Sequence, residues 1–455
     1  MKQKTPEQLA DELSQRFREE VLQQLKSTGR SMDEIEQAVE EIGRRFEAEL
    51  EQAIVDNQPD PAALENTAAC PKCSALVRYR DTDMRDWTTI HGVRTIWRRR
   101  YYCGECQGGF APRDAELKLD AGKLSYALRE RCCVTAALVD SFETAQKMVA
   151  GGTGVHVGET TIARIAITVG KSLATAEKDQ AAKRRRGGRM PVKRKPQRLY
   201  VSVDGILAPV RQAWKRDGSQ GKLVCEYKEC KTAVIYETDQ KVDPKTGVLM
   251  DRKPIYRDYT ASFDQSEKFG QRVATLAQRA GASYAKQVIF LADGQKYNWT
   301  IASAHFPRAV KIVDEMHAFQ HVSEVAQTFF GAGTGPAQAW AGERQEELRN
   351  DQVNRVISAI KDLTPRTEVQ RKTQAREAGY FRNNRRRMRY RSFREQGYQV
   401  ASGVMEAACK QVVHQRIDQV GMHRIKDHAD SMVMLRAKVL STDRPNIRAH
   451  SILAA

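Results

Sequence analysis

The sequence predicts a multidomain α/β protein built around one mixed sheet. Three features carry that prediction. Two short apolar runs, Leu199–Gly205 and Val288–Gly294, read as buried strands, and each closes on Asp-Gly. Between and after them the pattern runs strand, strand, strand, helix, strand, helix, strand. Ahead of them lie helical stripes and two Cys-x-x-Cys pairs, which belong to separate smaller units. At 455 residues, 41% of them hydrophobic, the chain is long enough for two to four cores.

Residues 1–56 are expected to form an acidic helical hairpin. Leu9, Leu13, Phe17, Val21 and Leu25 share one stripe. After Gly29, Ser31 and Glu34 make a capping box that opens a second stripe through Ile35, Val39, Ile42, Phe46 and Leu50. Residues 1–66 hold 8 Lys and Arg against 16 Asp and Glu, a net of −8 that leaves +26 on the remainder. An anionic partner therefore belongs downstream. The hairpin is a candidate contact with another subunit, or an ordinary packing unit of its own chain.

A Pro and Asp linker, Asn57–Pro61, leads to a predicted zinc ribbon over 67–110. Cys70 and Cys73, then Cys103 and Cys106, are each spaced to present two thiolates to one ion, and together they make a tetrahedral Zn²⁺ site. The 29 residues between the pairs imply a long hairpin, with Val93–Tyr102 as one strand. Unliganded thiols are the alternative. His91, before Gly92, reads as a polar turn residue. Cys132, Cys133, Cys225 and Cys230 read as core or surface residues.

Residues 120–175 read as a helix-turn-helix-like unit. Phe142–Val149 is a short amphipathic piece, Ala150–Gly158 is a Gly-rich turn, and a helix restarts at Glu159 with Thr160, Thr161 and Arg164 near its leading end. Those three are the candidate DNA contacts, although any three-helix unit can give the same pattern. Residues 176–197, with Lys183–Lys195 at their centre, read as a basic linker, either simply solvated or tracking phosphates.

From residue 198 the strand and helix order is that of a ribonuclease H-like core, placed over 198–330 and resumed over 399–440. In that order the first and fourth strands are neighbours, so Asp204 and Asp293 end side by side. Glu406, on a helical stretch opened by Ser402, completes a three-carboxylate set suited to Mg²⁺. Glu406 and Lys410 also have the spacing of an ordinary helix ion pair. Between the two core parts, 331–398 is a basic helical insertion. Its stretch Gly379–Arg394 interleaves arginines with Tyr and Phe and has no acid from Ala378 to Arg394. Arg385, Arg386, Arg387 and Arg389 are therefore candidate nucleic-acid contacts, suited to phosphates and to stacking on bases. Residues 441–455 read as a tail.

These motifs, in this order, resemble DDE transposases of bacterial insertion sequences, within the Mutator-like superfamily and its ISKra-type family. The resemblance rests on Val203-Asp204-Gly205, Ala292-Asp293-Gly294 followed by Trp299, and His305-Phe306-Pro307 before Ile312-Val313-Asp314-Glu315-Met316-His317-Ala318. It rests further on Asn384-Arg385-Arg386-Arg387-Met388-Arg389-Tyr390 and Gly403-Val404-Met405-Glu406-Ala407-Ala408-Cys409-Lys410. It spans most of residues 120–440. It implies Asp204, Asp293 and Glu406 as the catalytic triad holding two Mg²⁺ or Mn²⁺ ions, with Asp314 and His317 near the site. His317 then positions a phosphate or water, or simply satisfies Asp314. The chain departs from the family pattern at Gln295 after Asp293-Gly294 and at His423 after Gly421-Met422.

The net charge of +18 and pI near 9.5 fit a polyanionic partner. The implied activity is cleavage and strand transfer of double-stranded DNA, at element ends and target, by metal-assisted phosphoryl transfer. A binding-only regulator descended from such an enzyme, or a nuclease that cuts without joining, shares the same features. Joining two DNA ends calls for at least a dimer. With no run of 18 apolar residues and no apolar core in the opening Met-Lys-Gln-Lys-Thr-Pro, neither a membrane span nor a signal peptide is expected, and the place of action is cytoplasmic, at the nucleoid.

Overall fold

The structure is a computed structural model that describes residues 5–58, 65–119, 122–192, 194–217, 222–417 and 424–453. The chain divides into two compact units, residues 1–169 with 446–455, and residues 170–445. Most of the Asn57–Pro61 linker and all of Gly421–His423 lie outside the described residues.

In the first unit, α1 (Pro6–Leu25) and α2 (Met32–Asn57) each begin with a capping box, Thr5 with Gln8 and Ser31 with Glu34. These side chains satisfy amides that a helix start leaves unpaired. Phe17 and Phe46 join the two helices, with ring centroids 4.6 Å apart. Four antiparallel strands follow in spatial order, β1 (Thr67–Ala69), β2 (Leu76–Thr89), β3 (Gly92–Cys103) and β4 (Gly108–Phe110). The turn between β2 and β3 holds His91, whose Nδ1 lies 3.1 Å from Glu47 of α2.

A short helix, α3 (Pro112–Glu116), precedes α4 (Tyr126–Leu138), α5 (Phe142–Thr153) and α6 (Glu159–Arg185). Cys132 and Cys133 of α4 are fully buried. Gly154 ends α5 in the left-handed region at φ 70°. Helix α6 continues ten residues into the stretch read as a basic linker, because Glu177 there is needed in a core. The stretch read as a tail forms α17 (Ile447–Leu453), which packs on α4 and begins with the buried Ile447.

The second unit is a sheet with helices around it. Its strands are β5 (Arg198–Asp217), β6 (Lys222–Val242), β7 (Leu249–Ser262), β8 (Gln287–Ala292) and β9 (Val310–Val313), in spatial order β7-β6-β5-β8-β9. β6 is antiparallel to β5 and β7, whereas β8 is parallel to β5 and β9 to β8. The central strand is buried on both faces, with Leu199, Tyr200, Val201, Ser202 and Val203 at zero exposure. That double burial explains why the run is continuously apolar rather than alternating.

Helices α7 (Ser266–Arg279) and α8 (Lys296–His305) link the later strands. Glu177 of α6 pins this face. It pairs at 2.8 Å with Arg272 of α7 and also with Lys438 of a later helix, and it is fully buried. Burial alone would raise its carboxyl, but the two cations hold it down at about 2.

After β9 the chain enters α9 (Glu315–Phe330), α10 (Gly335–Arg349), α11 (Val353–Asp362) and α12 (Glu368–Asn384), which pack on one another. A 3₁₀ turn (Arg385–Arg387) and α13 (Tyr390–Glu395) lead back to the sheet. There α14 (Gly403–Cys409) runs through a π-helical segment (Lys410–His414) into α15 (Gln415–Ile417). A two-residue strand β10 (Arg424–Ile425) pairs with the far part of β5, and α16 (Lys426–Leu440) covers β7.

Candidate active site and zinc centre

Asp204 sits inside a strand, not at its end as the Asp-Gly signal suggests. β5 runs on to Asp217 because β6 accompanies it that far. The parallel pairing with β8, however, stops at Val203 opposite Ala292. Asp204 and Asp293 are therefore the first residues past the last paired position on two neighbouring strands. Burial is the main influence on Asp204, followed by the negative charge of Asp293, and together they push its carboxyl up to about 6. The Gly205 amide donates to Asp204 Oδ1 at 2.7 Å, and the buried Cys409 thiol lies 3.6 Å from its Oδ2.

The Asp293 carboxylate is anchored by its own turn. The Gln295 amide and Asn298 Nδ2 both donate to Oδ1, at 3.0 and 2.7 Å. Its backbone carbonyl accepts from the Tyr380 hydroxyl of α12 at 3.0 Å. Gly294 has φ 97°, and an added Cβ would lie 2.7 Å from the Tyr380 ring. Glycine is required there on both counts.

Asp314 caps α9 by accepting the His317 amide at 3.0 Å, and it also accepts the Ser402 amide at 2.5 Å. One carboxylate thus ties the start of α9 to the start of α14. Burial raises this carboxyl, but the hydrogen bonds from His317 and Ser402 outweigh it and hold it below the usual range. His317 Nδ1 lies 3.2 Å from Asp314 Oδ1, and that contact, aided by the charges of Asp204 and Asp293, raises the imidazole against its own burial. His317 thus feels all three aspartates.

Glu406 stands differently. Its helix packs on β5 and β6, and Cys409, one turn on, touches Asp204. The Glu406 side chain itself is exposed and has no hydrogen bond or ion pair with a described residue, Lys410 included. Among the described residues its carboxylate does not lie within 4.8 Å of both Asp204 and Asp293. The structure brings the two aspartates together and holds the glutamate nearby on the helix that reaches them.

Two residues of this site escape the sequence reading. Glu229, on β6, reaches across so that its Oε1 lies 2.3 Å from where a Cβ on Gly205 would stand, and it pairs with Lys231 at 2.5 Å. The Tyr297 hydroxyl lies 2.8 Å from that same point. It is buried without a hydrogen-bond partner among the described residues, and the charges of Glu229, Asp293 and Asp204 surround it. Nothing in the Glu226–Lys231 stretch sets Glu229 apart, because alternating charges are normal on a half-exposed strand. Tyr297 lies four residues past Asp293, where a helix after the Asp-Gly turn folds back on it; that spacing was the available signal.

The four cysteines Cys70, Cys73, Cys103 and Cys106 form one cluster, all four sulfurs lying within 4.8 Å of one another. Cys70 Sγ is 4.0 Å from Cys106 Sγ, and Cys73 Sγ is 3.6 Å from Cys103 Sγ. A tetrahedral ion with Zn–S near 2.3 Å requires about 3.8 Å between sulfurs. Ser74 and Gln107, each just past a pair, have φ 63° and 47°, which turns the chain back around the thiols. The amides of Lys72 and Cys73 point at Cys70 and hold its thiol down at about 7, whereas the neighbouring thiols help to raise those of Cys73 and Cys106. The cluster could hold zinc.

The remaining predicted residues are surface groups. Thr160 and Arg164 are exposed on the first turns of α6 and Thr161 is half-buried, while Ile162, Ala166 and Val169 bury the other face. Arg385, Arg386 and Arg389 are exposed and Arg387 is half-buried. The aromatic residues interleaved with them face inward. Phe381 and Tyr390 are fully buried, Phe393 is 8% exposed, and Tyr380 stacks on His321 at 3.7 Å. These side chains are therefore packed in the core rather than presented to bases.

No family model and no curated protein matches this chain. Among solved structures it is similar to the Drosophila P element transposase strand transfer complex. That similarity has a TM-score of 0.25 and 10% identity, over 71% of this chain and 81% of that one. A likeness this slight carries no argument about fold or activity.

Proposed function

We propose that the protein is a DDE transposase that cleaves and joins DNA strands by metal-dependent phosphoryl transfer on a ribonuclease H-like core. One observation carries the reading. Two aspartates from neighbouring parallel strands stand where the pairing ends, and burial together with the charge of Asp293 disfavours the charged form of Asp204. A protein keeps such a pair when a cation shares it.

The donor chemistry fits Mg²⁺ or Mn²⁺: hard carboxylate oxygens from Asp204 and Asp293, with Glu406 on an adjacent helix free of a competing partner among the described residues. Two such ions, when bound, supply activation of the attacking hydroxyl and neutralisation of the leaving oxygen. The chain's own share is placement. Asn298 and the Gln295 amide fix the Asp293 carboxylate, Asp314 holds α14 against the site through Ser402, and Tyr297 offers a buried hydroxyl to a phosphate oxygen. His317, whose imidazole the hydrogen bond to Asp314 raises toward the protonated form, adjoins the same carboxylates. The cysteine cluster holds structural Zn²⁺, and the first turns of α6 with Thr160, Thr161 and Arg164 contact double-stranded DNA.

A second reading has one observation in its favour. Glu406 is exposed and apart from the aspartates, as expected of a DNA-binding regulator without catalysis. A strand cleavage and joining assay on DNA carrying the element's ends separates the two, run with Mg²⁺ or Mn²⁺ on wild type, Asp204→Ala, Asp293→Ala and Glu406→Ala. Each substitution should cut the rate at least ~10³-fold while DNA binding persists. Binding without cleavage in wild type would give the regulator, and cleavage without joining a nuclease.

A further inference from the structure

A cavity of about 700 Å³ opens between the start of β9 and the turn after α12, lined by Lys311, Arg382, Asn383, Arg385, Arg386 and Arg387 among others. No Asp or Glu lines it. Five cations facing one cavity repel one another, and the usual remedy on a protein surface is a carboxylate nearby. Elsewhere on α12 and α13 the arginines have that remedy. Arg371 pairs with Glu368, Arg376 with Glu377 and Glu324, Arg391 with Glu395, and Arg394 with Glu315. None of the five lining cations has a carboxylate partner among the described residues.

Arg387 makes the point most sharply. Its guanidinium is half-buried against the face of Trp299, 4.3 Å from the ring centroid, and donates to Asn384 Oδ1 at 2.8 Å. Burial without a counter-charge pushes its pKa down. Such a group is fixed in place and lacks only an anion. The Trp299 face is taken by Arg387 and the lining Phe393 is buried, so no aromatic face is left for a base. The cavity suits a phosphate and ignores the base attached to it.

We propose that this cavity is a binding subsite for a backbone phosphate of a nucleic-acid strand, sequence-independent and separate from the carboxylates. Lys311 lies three residues before Asp314 on a strand, about 10 Å away. Trp299 links the two places, since its indole N–H donates at 3.1 Å to the carbonyl of Gly294, next to Asp293. The occupant thus anchors the strand one or two nucleotides from where it reacts. Phosphate binding follows from the cavity alone; that the strand is the one acted upon rests on the proposed function.

The test is fluorescence anisotropy of two labelled duplexes of unrelated sequence, over a range of salt, with full-length protein. Wild type is compared with Arg385→Gln/Arg386→Gln, with Lys311→Gln, and with Arg355→Gln/Lys361→Gln, which removes the same charge from the exposed surface of α11. The pocket double variant should weaken both duplexes about tenfold or more. It should also reduce the slope of log K against log salt by roughly 1.8, as expected for two lost phosphate contacts. The α11 variant should stay within about twofold of wild type. Equal losses in the two double variants would mean a general positive field and overturn the proposal, as would an unchanged slope. Loss of thermal stabilisation by orthophosphate with duplex affinity intact would assign the pocket to free phosphate and overturn it too. Cleavage is measured separately, so a pocket that binds DNA in a protein that never cuts would sink the catalytic reading and leave this one standing.

Discussion

At the scale of single residues, burial and the neighbouring charge of Asp293 set Asp204 apart from an ordinary aspartate. Its folded pKa, about 6, lies above that of an unfolded aspartate. The sign follows. In the metal-free protein Asp204 favours the folded state at low pH, and that contribution is lost as pH rises through about 6. Roughly two units correspond to about 3 kcal/mol. Asp204→Asn should therefore stabilise the metal-free protein at about pH 8 by up to that amount, with the gain fading near pH 4, while cleavage is abolished. Denaturant unfolding at both pH values reads this out. A variant less stable than wild type at the higher pH would show that Asp204 is structural. Glu177 is the contrasting case, a buried acid whose cations are built in, and so its carboxyl falls where that of Asp204 rises.

Among elements, the long β2–β3 hairpin is the one whose stability depends most on something outside its own packing. Its outer faces expose Met84, Val93 and Trp97, and its base is closed by the four thiols. Structural zinc contributes folding free energy directly. Cys103→Ser should remove one bound zinc per chain and collapse amide-exchange protection across β2 and β3, while the β5–β8 sheet keeps its own. Absence of zinc in wild type, or a hairpin equally protected in the variant, would count against the centre. The π-helical segment after Cys409 is the other unusual element. Such segments often mark functional positions, and this one follows directly on the turn that touches Asp204.

Over the whole molecule, charge is segregated along the chain. The acidic hairpin leaves Leu25 and Val39 74% and 66% exposed, beside a cavity of about 550 Å³ lined by Phe17, Val21, Ile35 and Ile42. Apolar groups this exposed on an otherwise charged hairpin are the candidate contact with a second copy of the chain that the proposed joining of two DNA ends would call for. Leu25→Glu/Val39→Glu touches no buried position and should lower the mass in solution from dimer to monomer by light scattering. A wild type that is monomeric both alone and on DNA would remove the hairpin from any role in assembly. No described helix is long and apolar enough to cross a membrane.

The succession of strands and helices, the capping box at Ser31 and Glu34 and the two Cys-x-x-Cys turns were readable from local pattern, because periodicity, caps and such turns are local physics. Asp204 and Asp293 stood out for a local reason too, since an acid directly after a buried apolar run is unusual, while Asp204's place inside a longer strand was not visible. What the tertiary structure alone decided is how charges far apart in sequence meet. Glu177 reaches Arg272 and Lys438, Glu229 and Tyr297 close over Gly205, and the insertion's aromatic residues turn inward while four of its arginines converge with Lys311. Each depends on which faces a folded sheet and its helices bring together, and side-chain charge carries no periodic mark that would announce its partner.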